Sequence, residues 1–339
     1  MSTITAVGID LAKNVFQVCA VNQAEKVQFN VKVKRSQLVK KISTLPKAKI
    51  FMEACGGSHY WAQRFSDMGH EVKLIAGQHV KKFVKGNKND AIDAEAIVVC
   101  GLRPSTRFVP IKTSNQLEQQ AIHRIRTRLV RDRTALCNEI RAFLYEHGII
   151  IEKSRRKLET SLKDLISSRR IEGTLLHLIA DLFNEYLEKC ELIQQYEAKI
   201  ENSFEEDERK QKLLKIPGIG PITASAILVE FQDLREFTKG RHLAAYLGLV
   251  PKHSGSGGRN KTHSLSKRGD AYIRTLLIHG ARSAIRFTKS RNDKVSRWCE
   301  GLKERMCMNK AAVALANKNA RMIWAILSSN EDYLPEKVA

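Results

Sequence analysis

The chain has 339 residues, 43% hydrophobic and 28% charged, a globular composition that excludes a disordered chain and leaves room for two or three domains. Its 58 Lys and Arg against 36 Asp and Glu give a net charge of +22, which calls for a polyanionic partner, because neutralising phosphates releases counterions. The seven cysteines form no Cys-x-x-Cys pair, no apolar run reaches about 18 residues, and the start carries no signal-peptide pattern, so a zinc ribbon, a disulfide framework and a membrane span are all disfavoured and a cytoplasmic, nucleoid-associated protein is expected.

Three apolar runs, residues 4–9, 15–21 and 27–33, read as consecutive strands, with Lys13-Asn14 and residues 22–26 as turns. Ser36 is placed to cap a helix running to about Ser43. Residues 49–53 form a fourth strand, 58–68 a helix and 72–75 a fifth strand, and a helix begins near Asn89 or Asp90 and runs to about Cys100. The order βββαβαβα is that of a ribonuclease H-like α/β fold, and it defines a first domain over residues 1–105.

Acids punctuate this domain at informative places. Asp10 ends the first apolar run, Glu53 ends the fourth, and Asp90 and Asp93 lie three apart on one helix face. A single strand-end acid is weak evidence, since acids commonly end strands and cap helices. Four in this register can converge on one point, and hard carboxylate oxygens without His or Cys suit two Mg²⁺ ions, with Mn²⁺ able to substitute. The chemistry so marked is phosphoryl transfer on nucleic acid. Glu95 lies on another part of the helix and reads as solvated.

From Ser114 to about Glu206 Gly and Pro nearly vanish, and apolar residues recur at three- and four-residue spacing: Leu117, Ile122, Ile125 and Leu129, then Leu176, Ile179, Leu182 and Tyr186. Two or three long amphipathic helices are expected, as an antiparallel coiled-coil arm over residues 106–208. Its run Arg124, Arg126, Arg128, Arg131 and Arg133 is either a solvated face or a nucleic-acid contact.

A mainly α third domain, residues 209–330, opens with Ile216-Pro217-Gly218-Ile219-Gly220-Pro221 between two apolar helices. This resembles a helix-hairpin-helix motif, whose glycines (Gly218 and Gly220) bring backbone N–H groups to a phosphate; the alternative is a tight turn between packed helices. A Gly/Ser loop, residues 253–259, and a basic helical tail follow. Between Pro251 and Lys310 stand fifteen Lys or Arg against four acids, a second nucleic-acid surface, with Lys252, Arg259, Lys261, Lys267 and Arg268 beside the loop. From spacing alone the stretch around Ser254 is a linker, since a serine hydroxyl is a poor nucleophile without an activating base or metal and nothing adjacent in sequence is an obvious base. The last residues, 331–339, are expected to fray.

Taken together, Val7-Gly8-Ile9-Asp10, Met52-Glu53-Ala54, Asn89-Asp90-Ala91-Ile92-Asp93-Ala94, Ile216-Pro217-Gly218-Ile219-Gly220 and Leu247-Gly248-Leu249-Val250-Pro251 through Ser254-Gly255-Ser256 resemble the DEDD insertion-sequence transposases of the IS110 family, in order and over nearly the whole chain. The stretch from Glu53 to Trp61 resembles the subgroup with subterminal inverted repeats. The resemblance implies a RuvC-like first domain with Asp10, Glu53, Asp90 and Asp93 as its metal-binding tetrad. It implies a C-terminal domain whose Ser254 forms a covalent phosphoserine link to DNA, with the register between Ser254 and Ser256 left open by Ser256-Gly257-Gly258, where other members often carry a second serine. It further implies an element-encoded bridge RNA that pairs with donor and target DNA, assembly into dimers and tetramers, and a composite active site in which one subunit's acids face another's serine. The expected function is RNA-guided, Mg²⁺-dependent DNA transposition. Two rivals share part of the pattern: a RuvC-like nuclease or junction resolvase using water as nucleophile, and a non-catalytic nucleic-acid-binding protein.

Overall fold

The computed structural model describes residues 3–84, 89–256, 259–291, 293–329 and 332–334, with Ser256, Arg259 and Asn260 described by backbone alone. The chain divides into two compact units, residues 1–115 and 116–339.

The first unit is a three-layer α/β structure. Strands β1 (Ile4–Asp10), β2 (Val15–Asn22) and β3 (Val27–Lys34) form an antiparallel meander, because the connections between them are too short for anything but hairpins. Helix α1 (Arg35–Ser43) then crosses over to β4 (Lys49–Glu53), which pairs parallel to β1, and α2 (Ser58–Asp67) crosses to β5 (Glu71–Ile75), parallel to β4. A short helix α3 (Gly77–Val80), helix α4 (Asp90–Leu102) and strand β6 (Phe108–Val109), antiparallel to β5, complete it. The strand order β3-β2-β1-β4-β5-β6 is that of a ribonuclease H-like sheet with one added edge strand.

Residue parity decides the layers. Val7, Ile9, Ile50 and Met52 point to one face and pack with Leu38 and Ile42 of α1 and Trp61 and Phe65 of α2. Ala6, Cys19 and Phe51 point to the other and pack with Ala94, Ile97 and Val98 of α4. Helix α1 starts two residues earlier than expected: Lys34 is its N-cap, without a side-chain hydrogen bond, and Ser36 lies inside it. Asn89 does cap α4, its side chain accepting from the Ala91 N–H at 3.0 Å.

The second unit is mainly helical. Three helices, α5 (Ser114–Glu146), α6 (Arg155–Ser167) and α7 (Gly173–Asn202), occupy the expected arm and share a core of Leu136, Ile140, Leu144, Leu158, Leu162, Ile179 and Phe183. Arg126 reaches Glu197 and Arg133 reaches Cys190, so α5 and α7 run antiparallel. These two arginines face α7, whereas Arg124, Arg128 and Arg131 are exposed; the arginine run is therefore not one face.

The C-terminal part is built from α8 (Glu208–Leu214), α9 (Pro221–Glu230), α10 (Gly240–Tyr246), the antiparallel pair β7 (Pro251–Ser256) and β8 (Arg259–Leu265), α11 (Ala271–Arg286), and then α12 (Lys294–Arg305) ahead of the final helix α13 (Met308–Ser329). Their helices close on a core centred on Ile227, Leu243, Leu277, Ala281, Leu315 and Ile323. The root of α5 is tied into this part. Gln116 donates to the Val229 carbonyl, and the buried His123 stands between Tyr272 (3.0 Å) and Ser225 (3.1 Å). The expected boundary between residues 208 and 209 thus falls inside one compact unit. No described helix is long and apolar enough to cross a membrane. Of the stretch expected to fray, only Asp332, Tyr333 and Leu334 lie among the described residues, and Tyr333 is buried.

Candidate active site

Parallel pairing of β1 and β4 aligns Ile9 with Met52, so the next residues, Asp10 and Glu53, leave the sheet side by side at its carboxyl edge. Both share the parity of Ala6 and Phe51 and therefore turn toward the α4 face. Helix α4 lies tightly on that face because residue 8 is glycine: a Cβ there would stand 2.3 Å from the Ala94 carbonyl oxygen. Cross-sheet rows locate its first turn. Gly8, Cys19 and Asn30 form one row, and Asn30 donates to the Ala91 carbonyl; Asp10, Gln17 and Lys32 form the next, and Lys32 pairs with Asp90 at 3.3 Å. The first turn of α4, with Asp90 and Asp93, thus sits at the same end of the sheet as Asp10 and Glu53.

The four acids are not drawn equally close. Asp93 is half-buried, while Asp90 is exposed and turned outward to Lys32 on β3. Among the described residues no group of three or more His, Cys, Asp or Glu is placed to hold a metal ion. Glu53 is seated against α3, where Gly77 leaves it room, since a Cβ at that position would lie 2.3 Å from Oε1. The Cys55 thiol reports the charge here: desolvation of its sulfur first, then the carboxylates of Glu53 and Asp10, push its pKa up. The carboxylates of Asp10 and Glu53 are hard oxygen donors, suited to a divalent cation such as Mg²⁺ or Mn²⁺.

The stretch expected to be a linker is the β7–β8 hairpin. In its register His253 faces Thr262, Ser254 faces Lys261 and Ser256 faces Arg259, while Gly257 and Gly258 lie outside the described residues. The base of the hairpin is clamped. Gly248 (φ 70°) and Gly269 (φ 68°) both adopt left-handed backbone, and a Cβ on Gly269 would stand 1.9 Å from the Tyr246 carbonyl oxygen. Arg274 of α11 donates to the carbonyls of Leu247 (3.1 Å) and Arg268 (2.7 Å), and Ser266 N–H donates to Val250.

Ser254 is exposed on this rooted ribbon, and its Oγ lies 2.6 Å from Nε2 of His263. Sequence reasoning missed this histidine. It is nine residues away, and only strand register brings it beside Ser254. Lys252 and Lys261 are exposed on the two strands, Arg259 opens β8, and Lys267 (φ 54°) and Arg268 lie in the exposed turn after it. Gly218 and Gly220 occupy the turn between α8 and α9 but differ. Gly218 is pressed on α11, where a Cβ would stand 2.7 Å from the Gly280 carbonyl oxygen, whereas Gly220 meets open space and precedes Pro221 at the start of α9. The close approach to α11 accounts for glycine at position 218, and no neighbouring atom requires it at position 220.

Comparison with known proteins agrees with both halves. Residues 7–149 match the model of a DEDD transposase domain, described as a transposase, and residues 210–296 match that of the "Transposase IS116/IS110/IS902 family". A "Probable family 20 transposase" of Pseudomonas aeruginosa is 44% identical over 98% of this chain and 99% of its own length. The "Transposase for insertion sequence element IS1111A" of Coxiella burnetii is 41% identical over 98% and 92%, and the transposase for IS1328 of Yersinia enterocolitica 37% identical over 96% and 97%. With such similarity along nearly its full length, the chain belongs to the IS110 family of DEDD transposases, enzymes that recombine DNA.

Proposed function

We propose that this transposase excises and integrates insertion-sequence DNA through a covalent phosphoserine intermediate on Ser254, with a divalent cation, Mg²⁺ first, held by Asp10, Glu53, Asp90 and Asp93. The observation that carries the reading is the convergence of Asp10 and Glu53 at one sheet end beneath the first turn of α4. A bound cation supplies Lewis-acid stabilisation of charge on the scissile phosphate. Asp10 and Glu53 form the fixed half of the cradle. Asp90, whose exposed pair with Lys32 costs little to break, and Asp93 would supply the other carboxylates. Ser254, exposed on a clamped hairpin, is free to meet a DNA phosphate. Its attack displaces a 3′-hydroxyl and keeps the bond energy in the phosphoserine, so religation needs no ATP.

The partners are those the family resemblance implies, and the charge of the chain suits them. The basic excess of +22 suits donor and target DNA together with an element-encoded bridge RNA that pairs with both. Lys252, Arg259, Lys261, Lys267 and Arg268 around the hairpin, and the N–H groups beside Gly220, are the proposed phosphate contacts. Dimers and tetramers assemble through the helical arm, and the acids of one protomer serve the serine of another.

The test is to incubate the protein, its co-purifying RNA and element-end DNA with Mg²⁺ and look for a DNA-linked species on a denaturing gel. Wild type yields an adduct mapping to Ser254, and Ser254→Ala yields none. Mixing Ser254→Ala with Asp10→Ala restores part of the activity if the site is composite. Clean cleavage by Ser254→Ala would support the water-dependent nuclease instead.

A further inference from the structure

The hairpin carries a feature that the metal-centred chemistry leaves unused. Strand register puts Ser254 opposite Lys261, and His263, two residues further along β8, shares their face. The 2.6 Å separation between Ser254 Oγ and His263 Nε2 is a short hydrogen bond on an exposed ribbon, where both groups could equally have been hydrated by water. The opposite face of the same hairpin offers an internal contrast. There His253 and Thr262 are direct cross-strand neighbours, yet Nδ1 and Oγ1 stand 3.3 Å apart. A nucleophile, an imidazole within proton-transfer distance and an ammonium group therefore stand together on one face, and the first two are the pairing that activates a hydroxyl.

We propose that His263 is the general base for Ser254, an inference that rests on the phosphoserine reading above. With its own proton on Nδ1, the imidazole presents the bare Nε2 to the serine O–H. As Oγ attacks, its proton passes to Nε2, the Oγ–P bond forms and the bond from phosphorus to the DNA 3′-oxygen breaks. The 3′-oxygen leaves with the bonding pair and takes a proton from water, and the imidazolium exchanges its proton with solvent. In religation the steps reverse: the 3′-hydroxyl loses its proton as it attacks, and Oγ leaves and recovers a proton from His263. Lys261, opposite Ser254, is placed to meet a non-bridging phosphate oxygen on the same face.

Single-turnover adduct formation between pH 5.5 and 8.5 tests this, using full-length wild type, His263→Gln, His263→Ala, His253→Gln and Ser254→Ala with their bound RNA. Loss of a general base lowers the rate by about 10²-fold or more. His263→Gln can still accept the serine hydrogen bond but cannot take the proton. It should show that loss, together with a pH–rate profile flatter than that of wild type. Added imidazole should partly restore His263→Ala, and His253→Gln should behave as wild type. A His263→Gln rate and pH profile equal to wild type would overturn the proposal. So would a slow His263→Ala that keeps the wild-type profile and ignores imidazole, for that is the behaviour of a residue that only positions Ser254. An adduct persisting in Ser254→Ala overturns the phosphoserine reading itself, whatever the histidine variants do.

Discussion

Asp10 and Glu53 stand on the ends of adjacent strands whose preceding residues, Ile9 and Met52, are completely buried, whereas Ser254 and His263 stand on a two-stranded ribbon whose described residues are exposed along nearly its whole length. In the proposed mechanism the two face different tasks. Like charges brought together repel, so a rigid sheet must hold them until a cation arrives. A serine that must meet a phosphate needs reach, and its fixed point can lie further back, at the glycine and arginine clamp of Gly248, Gly269 and Arg274.

The largest effects should come from breaking the chemistry at either place while sparing the fold. Asp10→Asn and Glu53→Gln should each lower strand exchange by at least about 10²-fold, the scale lost when a preorganised stabiliser of transition-state charge is removed. Their melting temperatures should stay level or rise, because one of two neighbouring carboxylates has been neutralised. Ser254→Ala should match the loss of strand exchange with no change in melting temperature. Strand exchange and thermal melts together check this, and an active Asp10→Asn would remove the acids from the mechanism.

The supports should respond next. Gly8→Ala drives a Cβ into the Ala94 carbonyl, which is backbone and cannot swing aside, so α4 must shift at a cost of about 1–3 kcal/mol. Gly269→Ala combines a similar clash with an unfavourable φ of 68° and should cost about as much. The consequences part: Gly8→Ala should weaken metal-dependent activity, whereas Gly269→Ala should slow adduct formation at Ser254. Urea denaturation paired with both assays tests this, and a wild-type denaturation midpoint for either variant would mean that its close approach is not needed.

Much of the first unit could be read from the chain. Strands β1 and β4 are apolar runs that end in an acid, and the element order carries the topology. The missed elements there, α3 and β6, have four and two residues, too few for any period to appear. The helical arm declares itself by a three-to-four spacing, and its antiparallel course is written in Arg126–Glu197 and Arg133–Cys190. The hairpin was hidden for a physical reason. The side chains of residues 251–255 and 261–264 are exposed, so the sequence shows no apolar alternation there, and a strand without a buried face looks like a linker. His263 was hidden with it, since its place beside Ser254 depends on register. The lean of Asp90 toward Lys32 was equally invisible, because it depends on which β3 residue ends up across the sheet from Asp10.

Acid should separate the units through a buried group in the second. Burial first, and Arg126 second, lower the His123 pKa from 6.5 to about 4, and the ring is held between Tyr272 and Ser225. The unfolded chain therefore takes up a proton below about pH 6.5 that the folded unit refuses until about pH 4. Stability from this residue is intact above that window and falls through it, by about 2 kcal/mol at pH 5. Urea denaturation at pH 8 and pH 5, followed by tyrosine fluorescence and by proteolysis of the α5–α7 arm, should show the second unit weakening. His123→Gln should remove most of that dependence while lowering stability at pH 8; an unchanged slope would place the acid sensitivity elsewhere.

The smallest effect should come from Lys32, and it sharpens what the acid cluster lacks. Lys32 and Asp90 are 67% and 60% exposed, so their 3.3 Å pair contributes no more than about 1 kcal/mol to stability. Lys32→Ala should therefore leave the urea midpoint almost unchanged. On the proposed tetrad its effect should appear in the metal requirement, since Lys32 would compete with a cation for the Asp90 carboxylate. Freed of that competitor, Asp90 should turn toward Asp10 and Glu53, and the Mg²⁺ concentration for half-maximal strand exchange should fall by a few-fold. Raised salt, which screens an exposed pair, should shrink the difference between variant and wild type. A higher Mg²⁺ requirement in Lys32→Ala would mean that Lys32 helps assemble the site rather than rivalling the metal, and Asp90 would then reach the cation by a route independent of β3.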